Sequence, residues 1–479
     1  MPRERPDRVV VISDLHMGAD PARGIFTAQD QLANFIRHVA AAPERVEIVV
    51  LGDSIDYLQV KPFLAFDAAI AKLKTEAIIA HNQGVFDAFR DFVAAGKRLV
   101  WCMGNHDLEL VFEGAQQALV RAIVDANDPS SRARLELRLD GGRLDYPLPR
   151  GGVLRLVHGN KEDPWNKVDY DELAAVAKTL MASGGADNTL YPPGSRLVAE
   201  VLNPLKEEGF VHVDLLKPEA TVAVPLTLAL WPASTRERLK SAFPLFFSTT
   251  AAKMKERLER FWTGKRKRFG RSVPAPEVVL QPEDLLALAL RDAFAIDDTV
   301  KPDNLATLLG QPNGPKAVSD AITAAPPPGK NFGGSWAKDF ASQALRGAAH
   351  NANRVSDIWS LEEPDELDEP VRGAIADGAI VVIAGHTHLA RAVSYDGGYY
   401  LNTGTWANLM RIPAYFRGAA FHEHARSLKE YLEKPKEAPA ELRPFQRLTY
   451  ADVDLRGSGF RAELREWISE PSRAVGRFP

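Results

Sequence analysis

A single cysteine, Cys102, occurs in 479 residues. No disulfide can form within the chain, so its stability must come from a packed core, which a chain of this length can bury. Leu99, Val100 and Trp101 put that thiol in apolar company, and a reducing compartment is the expectation. Long hydrophobic runs are also missing. The most extended apolar stretch, Ala220 to Trp231, is interrupted by Pro225 and falls short of the roughly 20 residues that cross a bilayer. The opening Met-Pro-Arg-Glu-Arg-Pro-Asp-Arg leads straight into a strand-like run without an apolar signal segment. A cytoplasmic protein with no transmembrane segment is therefore expected. Charge of one sign does not dominate: 59 Lys and Arg against 63 Asp and Glu leave a net −4, which argues against a protein that coats nucleic acid with its whole surface. No internal repeat is evident.

What the chain does have is a series of β-branched runs, each ending in polar residues. The run at 8–12, dense enough to be buried on both faces, leads into Asp14 and His16. On an extended backbone these two side chains, two residues apart, point the same way. Apolar residues Leu32, Phe35, Ile36 and Val39 predict a helix over 29–42. A second run, 46–51, ends in Gly52, Asp53 and, three residues on, Asp56. Helical spacing recurs over 63–95, broken near Asn82 to Gly84 and stopped by Gly96. A third strand, 98–103, enters Gly104-Asn105-His106-Asp107. Segments 135–139 and 144–148 read as a hairpin across Asp140-Gly141-Gly142. The strand 153–157 closes with His158-Gly159-Asn160.

Strand-helix alternation then lapses for about two hundred residues, far beyond an ordinary loop. It returns with a strand at 379–384 that ends in Gly385-His386-Thr387-His388, a hairpin of 392–395 with 399–401, and a closing strand over 445–455. The expected organisation is a domain formed by 1–165 and 371–460, a mainly helical insertion or cap at 166–370, and a C-terminal tail at 461–479.

Five strand ends thus carry Asp14 with His16, Asp53 with Asp56, Asn105 with His106 and Asp107, His158, and His386 with His388. Oxygen and nitrogen donors without thiolate suit manganese, iron or zinc. Two divalent ions bridged by one carboxylate, here Asp53, hold a hydroxide that can attack phosphorus.

The motifs Asp-x-His, Gly-Asp-x-x-Asp, Gly-Asn-His-Asp, His-Gly and Gly-His-x-His, in this order, resemble those of the calcineurin-like metallophosphoesterases. The resemblance spans about 8–163 and 375–455. It implies a four-layer αββα sandwich of two mixed β-sheets, the metallo-dependent phosphatase fold, in the α/β class. It further implies that Asp14, His16 and His388 bind one metal, that Asn105, His158 and His386 bind the other, and that Asp53 bridges them. His106 would face the substrate phosphate, Asp107 would orient His106, and Asp56 would be a supporting residue. Ser13-Asp14-Leu15-His16-Met17-Gly18, Asp163 after His158-Gly159, and Asn402-Thr403-Gly404-Thr405-Trp406 look closest to the branch containing UDP-2,3-diacylglucosamine hydrolase. That branch has arginine where His106 stands here, and Arg-Pro where this chain has Leu389-Ala390.

The expected function is hydrolysis of a phosphate ester (diester, pyrophosphate or monoester) of a small molecule or lipid-nucleotide, assisted by two divalent ions, manganese first and iron or zinc next. The alternatives are a nuclease, supported by the basic run Lys265 to Arg268, and a non-catalytic scaffold with the same fold. Without a role at the site, that run is expected as a solvated helix end, Phe243 to Phe247 as core, Trp406 as packing, and His422 with His424 as a surface pair.

Overall fold

The computed structural model describes residues 5–21, 24–163, 165–207, 209, 213–215, 359–411, 443–468 and 473–478. The run Lys265 to Arg268, the group Phe243 to Phe247, and the pair His422 and His424 lie outside the described residues, as does most of the 166–370 insertion.

Two compact units divide the chain, one of residues 1–195, 357–409 and 445–479 and the other of 196–356 and 410–444. In the second unit, the described residues include a buried ion pair, with Lys206 Nζ donating to Asp214 Oδ2 at 2.6 Å. The first unit contains both sheets. Strands β1 (Arg8–Ile12), β2 (Val46–Leu51), β3 (Arg98–Cys102) and β4 (Leu135–Arg138) run parallel. The second sheet holds β5 (Leu144–Pro147), β6 (Val153–Leu156), β7 (Ala379–Ala384), β8 (Arg391–Tyr395) and β9 (Gly398–Asn402), in the order β5-β6-β7-β9-β8.

Side-chain alternation along the parallel strands supplies both faces of the first sheet. Val9, Val11, Val49, Leu51, Val100 and Cys102 share one core with Leu154, Leu156, Val381, Ile383 and Leu401 of the second sheet. The opposite residues meet helices. Phe86 and Phe89 of α3 (Gln83–Ala94) pack on Trp101 of β3. Phe35 of α1 (Gln29–Ala40) packs on Trp406. Helices α2 (Ala68–His81) and α4 (Glu113–Ile123) pack together alongside, and α5 (Pro129–Arg134) and α6 (Tyr170–Ser183) follow. On the far side of the second sheet, Val371 of α7 (Asp368–Ala376) packs with Val382, Ala384 and Tyr400. Helix, sheet, sheet and helix are therefore stacked as the αββα reading expects.

Three features differ from expectation. The segments expected as a hairpin belong to different sheets: β4 pairs with β3, and β5 with β6. Asp140-Gly141-Gly142 carries the chain between the sheets. Gly141 adopts φ +53°, and a Cβ there would run into the ring of Tyr170. Residues expected as a tail form β11 (Arg461–Glu466) and β12 (Arg473–Phe478), which extend the first sheet beyond β10 (Thr449–Asp454) into the order β12-β11-β10-β1-β2-β3-β4. Ala462 and Leu464 face the core while the charged residues that alternate with them bond each other, Arg465 Nη1 donating to Glu463 Oε2 at 2.6 Å. Frequent charges at alternate positions concealed a half-buried strand. The helix predicted to end at residue 42 ends at Ala40.

Trp406 is fully buried as packing, and its Nε1 donates to Thr449 O at 2.9 Å. Trp406→Ala is expected to cost roughly 3–5 kcal/mol, read from the midpoint of urea unfolding, with the slope unchanged.

Candidate metal centre

β1, β2, β3, β6 and β7 each hand the chain to a loop that bears ionisable or amide side chains, and these loops meet. Ligand atoms of Asp14, His16, Asp53 and His388 all lie within 4.8 Å of one another, as do those of Asp53, His158 and His386. A third such group is His16, Asp56 and His106. Asp53 belongs to the first two groups, so it stands at their shared corner. His16 Nε2 and His388 Nε2 are 2.9 Å apart, and His388 Nε2 is 3.4 Å from Asp14 Oδ1. Parallel pairing of β6 with β7 sets His158 beside His386 across more than two hundred residues of sequence, with Gly385 N donating to His158 O at 3.0 Å.

The convergence depends on an unusual backbone. Among the described residues, the non-glycine positions with positive φ are Asp14, His16, Asp53, His386 and His388, at 50° to 69°. Each such residue costs on the order of 1–3 kcal/mol and persists only where its surroundings hold it. Asp14 and His16 therefore come together through left-handed turns beyond the end of β1, not through the strand alternation expected from their spacing. Gly104 clears the centre: a Cβ there would strike Asp53 Oδ1 and stand 2.8 Å from His158 Nε2.

Two observations show that the donor set suits divalent cations. His158 Nε2 and Asn105 Oδ1 are buried without a hydrogen-bond partner, a costly condition unless another electrophile completes them. His158 Nε2 is 3.2 Å from Asp53 Oδ2 but lacks hydrogen-bond geometry. The field points the same way. Burial works against ionisation of Asp53, yet His158, His106 and His16 together hold its carboxyl well below the usual range. Burial lowers the His158 imidazole, but Asp53, Asp14 and Asp107 raise it to about 9. This corner attracts positive charge.

The supporting residues are partly those expected. Asp56 Oδ2 serves two imidazoles, His16 Nδ1 at 2.9 Å and His106 Nδ1 at 3.2 Å, and also accepts from Gln59 Nε2 at 2.7 Å. The ring of His106 is thus held by Asp56, where sequence pointed to Asp107. Asp107 secures backbone instead, accepting from Gly104 N at 2.5 Å and from Ser54 N and Oγ at 3.1 Å. Burial, aided by Asp53, raises its carboxyl to about 6.

Sequence reasoning gave no site role to Asp163, Asn166 or Asp365. Asp163 Oδ2 lies 3.2 Å from His386 Nε2 and accepts from Asn166 Nδ2 at 2.7 Å, and Asn166 Oδ1 accepts from Asn105 Nδ2 at 3.3 Å. Asp163 stands outside all three ligand groups, so it and Asn166 clamp His386 and Asn105 from behind. The signal for Asp163 was its place in the loop just after His158. Asp365 accepts from Thr387 Oγ1 and Tyr400 OH, each at 3.0 Å, and so braces the loop between His386 and His388. No spacing rule connects residue 365 to residue 387.

Close to this centre a second buried charge cluster joins α2 to the turn after Asp107. Glu109 Oε1 accepts from Tyr191 OH at 2.5 Å and lies 3.8 Å from Lys74 Nζ, while Oε2 is buried without a hydrogen-bond partner. Burial, only partly offset by Lys74 and Tyr191, raises the Glu109 carboxyl to about 7.

Compared with known families, residues 7–202 match the sequence model of the calcineurin-like phosphoesterases. The match includes the loops of Asp14, Asp53, Asn105 and His158 and stops before His386 and His388. No curated protein matches the chain.

Two outcomes are expected. Asp163→Ala should weaken divalent-metal binding by roughly 10–100-fold, measured by titrating metal-stripped protein, while the circular dichroism stays unchanged. The second concerns pH. The folded-state pKa of Glu109 lies above its ordinary 4.5, so its stabilising contribution is complete below about pH 4.5 and is lost as pH rises through about 7. Glu109→Gln should remove a wild-type loss on the order of 3 kcal/mol across that window, seen as a flatter melting temperature between pH 4.5 and 8.

Proposed function

We propose that the chain is a binuclear metal-dependent phosphoesterase, in which Asp14, His16 and His388 hold one divalent ion, Asn105, His158 and His386 hold the other, and Asp53 contacts both. The observation that carries this reading is the corner position of Asp53 between two donor groups, together with His158 Nε2 and Asn105 Oδ1, which are buried without a hydrogen bond. The family match over residues 7–202 supports the same reaction class. Bound divalent ions would lower the pKa of water and neutralise phosphoryl oxygens. Manganese is our first assignment, because the donors are carboxylate, amide and imidazole.

The chain's own residues contribute orientation and proton transfer. His106 has the most exposed imidazole of the cluster, with its side chain 15% accessible. Asp56 fixes its Nδ1, and we assign its Nε2 to the oxygen of the leaving group, where an imidazole can donate a proton. Asp107 keeps the loop bearing Asn105 and His106 closed on the loop of Asp53. Asp163 and Asn166 keep His386 and Asn105 turned inward. The substrate is a phosphate monoester, diester or pyrophosphate, and the lipid-linked nucleotide pyrophosphate of the resembling branch is one candidate. No helix among the described residues is long and apolar enough to cross a membrane. The single, buried thiol of Cys102 fits the cytoplasm, where we place the protein.

Asp53→Asn is expected to abolish nearly all hydrolysis of bis(4-nitrophenyl) phosphate with Mn2+ and to lose bound metal while still folding. His106→Ala should keep the metal and lose roughly 10²–10⁴-fold in kcat. A wild-type chain that hydrolyses no monoester, diester or pyrophosphate with added Mn2+ would overturn the reading.

A further inference from the structure

Beside the centre, and outside the motifs, lies a narrow crevice lined by Trp359, His388, Leu389, Thr405, Leu409 and Arg447 among others, with room for about 10 Å³, one water-sized group. Its position follows from sheet register. β10 runs antiparallel to β1 with Val11 opposite Ala451, so the residues that precede Thr449 leave the sheet at the edge where β1 releases Asp14. Thr405 ties the two together, its Oγ1 donating to Asp14 O at 2.6 Å, while Thr449 Oγ1 donates to Thr403 O at 2.6 Å. Arg447 therefore opens into the same edge as the candidate ligands, and His388 forms part of the wall between them.

The guanidinium of Arg447 has little to neutralise it. Its one hydrogen bond is a long one, from Nη1 to Trp359 O at 3.5 Å, and among the described residues no carboxylate lies within ion-pair distance. The nearby Glu466 is already bonded to Arg473. Burial opposes the charged form of Arg447, with Glu466 acting for it and Arg473 against it. Arg391, itself buried, feels Arg447 as a further like charge. Mostly apolar walls and a guanidinium without an ion pair together describe a corner for an oxyanion.

We propose that Arg447 forms an anion-binding subsite next to His388, which takes a second anionic group of the substrate, a phosphoryl or a carboxylate, in addition to the phosphate that reacts. The proposal rests on the phosphoesterase reading and narrows its substrates to phosphate esters that carry a further negative charge. Only one oxygen of that anionic group enters the crevice, given its size, and the remainder of the group and of the substrate stays outside.

The test uses non-hydrolysable ligands, so that it does not depend on turnover. Phenylphosphonate, 3-carboxyphenylphosphonate and benzene-1,3-diphosphonate are titrated calorimetrically into the full chain with Mn2+. The wild type should bind one or both doubly functional ligands more tightly than phenylphosphonate, and which of the two gains more distinguishes carboxylate from phosphoryl. Arg447→Met, which keeps the apolar stem, should erase that advantage, a loss of roughly 10- to 100-fold, and leave phenylphosphonate unchanged. Arg447→Lys should restore part of it. Equal binding of all three ligands by the wild type, or an equal loss for phenylphosphonate in Arg447→Met, overturns the subsite. Hydrolysis of bis(4-nitrophenyl) phosphate by the wild type, measured in parallel, reports on the phosphoesterase reading separately.

Discussion

Four carboxylates, those of Asp14, Asp53, Asp56 and Asp107, are buried within one small volume where the ends of two sheets meet. Burying a single unpaired charge costs several kcal/mol, and burying like charges together costs more. The chain accommodates them by interleaving imidazoles: His16 and His106 on Asp56, His158 on Asp53, and His388 on Asp14. Those contacts do not complete every atom. His158 Nε2 and Asn105 Oδ1 keep a bonding capacity that the protein leaves unused. A site that concentrates negative charge, balances it with titratable rings and withholds two donor atoms is built for cations.

The remainder of the architecture serves to hold this arrangement together. Left-handed backbone at Asp14, His16, Asp53, His386 and His388 is unfavourable at each residue, and it is sustained by two sheets that share one apolar core. The core also anchors the loops. Trp406 N donates to Asp14 O while its ring sits against Phe35, so helix α1 is mechanically linked to the first of these loops. Asp163 and Asp365 do similar work on the His386 and Thr387 side, through side chains rather than packing. Strain at the centre is therefore balanced by well-packed surroundings, as in other sites where geometry must be preset.

The strands that carry the site were legible because a buried parallel strand must be apolar throughout and must stop where polar residues begin, as at Leu51 before Gly52 and Asp53. Less legible was anything decided across the sheets. Leu135 to Leu139 and Leu144 to Leu148 satisfy the hairpin pattern, yet they pair with different partners, since alternation is the same whichever neighbour a strand takes. The strand of 461–466 was hidden because its polar positions are charged and its apolar ones are only Ala462 and Leu464. Asp56, expected only as a supporting residue, takes the role toward His106 expected of Asp107, because loop curvature, not proximity in sequence, decides which carboxylate a ring meets.

By itself the sequence determined which chemical groups are available and that each follows a buried strand, because donor identity and hydrophobic periodicity are local properties. It also determined that the chain must return to its first domain after a long interval, since the last two histidines follow a strand of the same kind as the first. Tertiary structure alone decided that Asp53 stands between two donor groups, that Asp163 and Asn166 stand behind His386 and Asn105, and that Arg447 opens beside His388. Those relations are distances between residues as much as 374 positions apart, from Asp14 to His388. They are set by strand register and by left-handed turns, and no local pattern encodes either.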